Sequence, residues 1–84
     1  MSGFDGLVTR FLAHIDVERG LAPATIQAYA SDLRLYRQWL KSHGIRELSS
    51  VTRSDVEDFV ASLSDESSRS RARRLAAVHE LHRF

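Results

Sequence analysis

The sequence predicts an all-α domain of four helices. Three observations carry this reading. Apolar residues recur at spacings of three and four, no stretch sustains a two-residue alternation, and the chain contains only one proline and four glycines.

The first helix is expected over about residues 4 to 19, because Leu7, Val8, Phe11, Leu12 and Ile15 share one face. Gly20 ends it, being free to adopt the left-handed conformation of a helix C-terminal cap. Pro23 suits the first turn of a second helix, where its missing N–H costs nothing and its φ is already helical. That helix reaches Gly44. Ile26, Tyr29, Leu33, Tyr36 and Leu40 form its main apolar stripe, and Leu35 and Trp39 project elsewhere, so it should pack in two directions as the central element. Its remaining arc, including Gln27, Ser31, Arg34 and Gln38, is polar.

Thr52-Arg53-Ser54-Asp55 has the order of a capping box, with Asp in place of the usual Glu, and opens a short third helix. Val56, Phe59, Val60 and Leu63 give that helix a buried face. A fourth helix begins near Ser67 or Ser68 and continues to the end of the chain. Leu75, Val78 and Leu81 line one side of it, Arg69, Arg73 and Arg83 fall on the other, and Arg71 and Arg74 sit closer to the apolar rim.

The formal net charge is only +1, but its distribution is uneven. Residues 47–66 carry six acidic side chains and one basic; residues 67–84 carry five arginines and one glutamate. Clustered arginine is the footprint of a phosphate-binding surface, and a solvated helix face is the plainer alternative. With no cysteine, neither a disulfide framework nor a thiolate metal site is available, and a reducing compartment, the cytoplasm, is expected. No apolar run approaches the length of a membrane span. His14, His43, His79 and His82 are too scattered to suggest a metal site, and no phosphate-binding glycine loop or other local catalytic motif occurs. No catalytic residue, cofactor or metal is therefore assigned. Capping and solvation account for the serines between 62 and 70.

Several segments, taken in order, are more specific. They are Gly20-Leu21-Ala22-Pro23-Ala24-Thr25-Ile26-Gln27-Ala28-Tyr29, then Asp32-Leu33, Trp39-Leu40 and Gly44-Ile45. Leu48, Val51, Thr52, Asp55 and Val56 follow, and finally Ser70-Arg71-Ala72-Arg73-Arg74-Leu75-Ala76-Ala77-Val78 with Leu81 and Phe84. This set resembles the amino-terminal core-binding domain of Xer-type tyrosine recombinases, relatives of phage integrases, over nearly the whole chain. Two positions depart from the family pattern: Ala22 stands where a serine cap is usual, and His79 where an arginine is usual.

The resemblance implies a compact, SAM-like orthogonal bundle of four helices spanning residues 1–84, forming half of a C-shaped clamp on double-stranded DNA. The tyrosine nucleophile and the phosphate-activating residues would belong to a separate carboxy-terminal domain, absent from this sequence, so this domain should bind and not cut. Other recombinase protomers would be its partners on DNA, and the isolated domain is expected to be monomeric. Chromosome-dimer resolution and mobile-element integration are both roles open to such a protein. By analogy, the second and fourth helices would cross the major groove. Arg69 and Arg73, one turn apart, are the leading DNA contacts, joined by Thr25, Gln27 and Ala28 at the start of the second helix and by Arg34 further along it. Exposed charge balance, a local Thr25 backbone bond and simple solvation are the bland readings of the same residues. The rival function is a helical protein-interaction module using Leu35 and Trp39. An enzyme in its own right has no clustered acid, base or nucleophile behind it.

Overall fold

A computed structural model describes residues 3–84 and places four α-helices in them: α1 (Gly3–Arg19), α2 (Pro23–Ser42), α3 (Arg53–Ala61) and α4 (Ser68–Arg83). A short 3-10 turn, Leu48–Ser50, interrupts the connection between α2 and α3. This turn is not foreshadowed by the sequence, since three residues are too few to show a period. No strand occurs among the described residues, and none of the helices is long and apolar enough to cross a membrane.

The helix ends follow their local chemistry. Gly20 adopts φ 57° and Gly44 φ 74°, both in the left-handed region that a Cβ disfavours, and each stops the helix before it. Pro23 sits at the start of α2, and its N-cap, Ala22, offers no side-chain bond. The capping box at Thr52 is complete: Asp55 N–H donates to the Thr52 hydroxyl at 3.1 Å, and Thr52 N–H donates to the Asp55 carboxylate at 2.8 Å. Ser67 caps α4 by accepting from the Ser70 N–H at 3.2 Å.

α2 packs most extensively against α4 and α1, which makes it the central element that its two apolar stripes predict. The molecule is a slab about 18 Å thick and 32 Å across, so most helices have one face in the core and another in water. Leu33, Tyr36 and Leu40 of α2 meet Phe11 and Ile15 of α1, Phe59 of α3 and Val78 and Leu81 of α4, all at or near complete burial. Aromatic rings organise the centre: Tyr36 lies 5.0 Å from Phe59 and 6.1 Å from Phe4, and Trp39 meets Phe59 edge-on at 5.8 Å.

The buried face of α4 is rotated from the one the apolar spacing predicts. Its core line is Ala77, Val78 and Leu81, while Leu75 is only half-buried at a groove edge. On this face Arg74 turns inward and Arg73 sits at the flank, both bonded to Asp32 of α2. Tertiary packing, not hydropathy, selects that face.

Candidate functional site

The flank where α2 crosses α4 is built on a buried carboxylate. Asp32 is fully buried, and a charge there requires a cation and filled lone pairs. Arg73 supplies both: its Nε donates to Oδ2 and its Nη2 to Oδ1, each at 2.9 Å, in a bidentate fork. Arg74 adds a third bond, from Nη1 to Oδ1 at 3.1 Å, and its Nε donates to Glu66 at 2.6 Å. Arg74 is itself largely buried, with 16% of its side chain exposed, whereas Arg73 keeps 43%. Hydrogen bonding to Asp32 raises the Arg73 pKa further above its ordinary value, so it remains charged.

Arg69, one turn before Arg73, is exposed and has no ion pair or hydrogen bond among the described residues. Arg71 is half-buried and leans toward the Ser68 hydroxyl at 3.4 Å. On α2, Thr25 and Ala28 lie within about 40° of Asp32 around the helix axis, at roughly 100° per residue, and so share its flank. Both are half-buried, and the Thr25 hydroxyl has no hydrogen-bond partner among the described residues.

Gln27 and Arg34 fall on the other side of α2. Arg34 borders the groove between α1 and α2, beside Thr9 and Gln38, and like Gln27 it forms no ion pair or hydrogen bond among the described residues. The six residues singled out in the sequence therefore divide into two groups. Thr25, Ala28, Arg73 and Arg69 gather around the α2–α4 crossing, and Gln27 and Arg34 do not join them.

Asp32, Arg74 and Glu66 are the members of this cluster that the apolar spacing does not reveal. Asp32 nonetheless carried a signal. It stands between Tyr29 and Tyr36 beside the buried stripe, where a carboxylate needs an arginine, and α4 offers two in succession.

A second polar cluster brings together the end of α1, α2 and α4. Glu80 forms an ion pair with Arg19, and its charge, after burial, helps to raise the Tyr29 pKa. The histidines are spread over the molecule, with His79 and His82 sharing one groove. His43 stacks on Trp39 at 4.0 Å, His14 faces Phe84 at 5.1 Å, and His82 Nε2 lies 2.8 Å from the Tyr36 hydroxyl. Leu35 and Trp39 are packed against the core, and the exposed large hydrophobics among the described residues are Val17 and Phe84.

Residues 8–84 match the sequence family described as phage integrase, N-terminal SAM-like domain. The chain belongs to this family. Among relatives of this integrase SAM-like domain, tyrosine recombinase XerD of Bifidobacterium longum (strain NCC 2705) is 54% identical over 85 residues, covering 99% of this chain and 28% of that protein. XerD of Mycobacterium tuberculosis (strain ATCC 25618 / H37Rv) is 39% identical over 83 residues, covering 88% of this chain and 27% of its own length. XerC of Oceanobacillus iheyensis is 28% identical over 86 residues, covering 100% of this chain and 28% of its own. The integrase SAM-like domain thus spans little more than a quarter of these recombinases. No solved structure matches it.

Proposed function

We propose that this integrase SAM-like domain is the DNA-gripping part of a site-specific tyrosine recombinase, holding duplex DNA along the flank where α2 crosses α4. The observation that carries the reading is the Asp32–Arg73 fork, which ties the α2 flank bearing Thr25 and Ala28 to the α4 face bearing Arg69. Named relatives that match over nearly the whole chain are recombinases, and strand exchange requires a hold on the duplex.

In this proposal Arg69 is a phosphate contact, being exposed and uncompensated. The free Thr25 hydroxyl serves the backbone as well, and Ala28 lets a groove wall approach or meets a thymine methyl. Gln27 and Arg34, on the α1 side of α2, would reach only a backbone segment lying across that face. Strand cleavage, the companion protomers and a cytoplasmic site of action belong to the proposed whole recombinase, with its nucleophile and phosphate-activating residues outside these 84 residues. Leu35 and Trp39, the residues behind the protein-interaction alternative, are partly buried against the core and line a groove with Gln38 and Phe59, and salt-independent binding of a protein partner would favour that reading instead.

The test is fluorescence anisotropy of a short labelled duplex titrated with the chain across a range of salt. Two arginine–phosphate contacts, from Arg69 and Arg34, would give a slope of log affinity against log salt near −2. Binding that ignores salt, or no binding to any duplex, overturns the proposal.

A further inference from the structure

We infer that Arg73 reads a base, that Asp32 is its positioning residue, and that the ligand is the acceptor edge of a guanine and not a phosphate. The inference rests on the DNA-gripping role proposed above and assigns the parts within it.

Donor geometry comes first. A guanidinium carries five N–H groups. Asp32 takes the one on Nε and one on Nη2, the side-on fork of Arg73, with both bonds at 2.9 Å. Both N–H groups of Nη1 and the second of Nη2 remain, and one on each nitrogen forms the end-on fork. Arg73 keeps 43% of its side chain exposed, and no bond from its Nη1 occurs among the described residues, so we take that edge as the one offered to a ligand.

Asp32 is itself held by three accepted hydrogen bonds. It is fully buried and accepts again from Arg74, which Glu66 anchors in turn. The carboxylate therefore fixes the plane of the Arg73 fork before anything binds, so little rotamer freedom is left to lose on contact.

Charge then selects the ligand. Arg73 and Arg74 are matched by Asp32 and Glu66, so the four-residue cluster carries no net charge and gives a phosphate little reason to settle there. A neutral ligand with two acceptors loses nothing by this. Guanine presents O6 and N7 side by side in the major groove, matched to a two-pronged donor. Arg69, exposed and unpaired, has the opposite character and suits the backbone. The two arginines, alike in sequence, are thus given different work by a single buried aspartate.

The experiment selects duplexes from a randomised pool with the 84-residue chain and then measures affinity and salt slope on the winner. The expected wild-type result is a guanine preference at one position of about 5- to 150-fold, the range of one good bidentate pair. Replacing that guanine with 7-deazaguanine, which lacks the N7 acceptor, should lower affinity for the wild type and not for Arg73→Lys. Arg73→Lys keeps the charge but not the fork, and should lose the preference with an unchanged salt slope. Asp32→Asn should lose it too. Asp32→Glu, which keeps the charge but displaces the carboxylate, repeats the test should the Asn variant not fold. Arg69→Ala should retain the preference while its slope becomes shallower by about 1.

A guanine preference that survives in Arg73→Lys or in a folded Asp32 variant overturns the inference. Salt-dependent duplex binding by the wild type with no guanine preference overturns it alone and leaves the gripping role standing. Failure to bind any duplex removes both.

Discussion

Asp32 shows how one side chain can decide what its neighbours do. Removing it leaves Arg74 with Glu66 alone and opens a polar void at the α2–α4 contact. Asp32→Ala is therefore expected to lower unfolding free energy by about 3 kcal/mol, as for other broken buried pairs, measured by urea denaturation. Arg73→Ala should cost less, because Arg74 still pairs with Oδ1 of Asp32, although Oδ2 loses the donor it has in Arg73. His82 gives a pH test. Burial lowers its pKa, with the His79 charge adding to the effect, so the unfolded chain binds the proton more readily than the folded one. Stability from this residue is present above the ordinary histidine pKa of about 6.5 and falls as pH drops through it toward the lower folded value. Tm measured from pH 8 to 5 should decline on the acid side, and His82→Gln should decline less. A parallel decline in both proteins would remove His82 from that role.

At the scale of single elements, glycine does two different jobs. Gly6 lies inside α1, where a Cβ would meet nothing within 4 Å, so only backbone freedom is at stake. Gly6→Ala is expected to stabilise by about 0.5 kcal/mol. Gly20 also has open space around it, but its φ of 57° is costly for an L side chain. Gly20→Ala should destabilise by about 1 kcal/mol, and thermal denaturation of the pair should give shifts of opposite sign. Helix ends of this kind are legible because their chemistry is local: Gly20, Pro23, Thr52 and Ser67 each act within a few residues. The face that α4 buries was less legible. Leu75 was the better hydrophobic residue, yet the smaller Ala77 entered the core.

For the molecule as a whole, Phe59 is the tie between the short helix α3 and the central helix α2. It is the buried residue of the short helix α3 and meets both Tyr36 and Trp39 of α2. Phe59→Ala is expected to cost about 3 to 4 kcal/mol. A domain this small has about 5 to 10 kcal/mol in total, so much of its margin would go. Near- and far-ultraviolet circular dichroism should still lose signal together on heating, since α3 has no separate core to fall back on. Two separated transitions would show that α3 melts independently.

The order of helices, their caps, the central place of α2 and the family were all determined by the sequence alone, because each is encoded in short-range periodicity or in motifs that follow one another along the chain. The partnership of Asp32 with Arg73 and Arg74, more than forty positions away, was decided only when α2 and α4 came together. So was the separation of Arg34 and Gln27 from the α4 arginines. Periodicity tells which way a side chain points from its own helix, but not which helix stands opposite. A carboxylate's partner is a property of that second helix, and so it belongs to the tertiary structure.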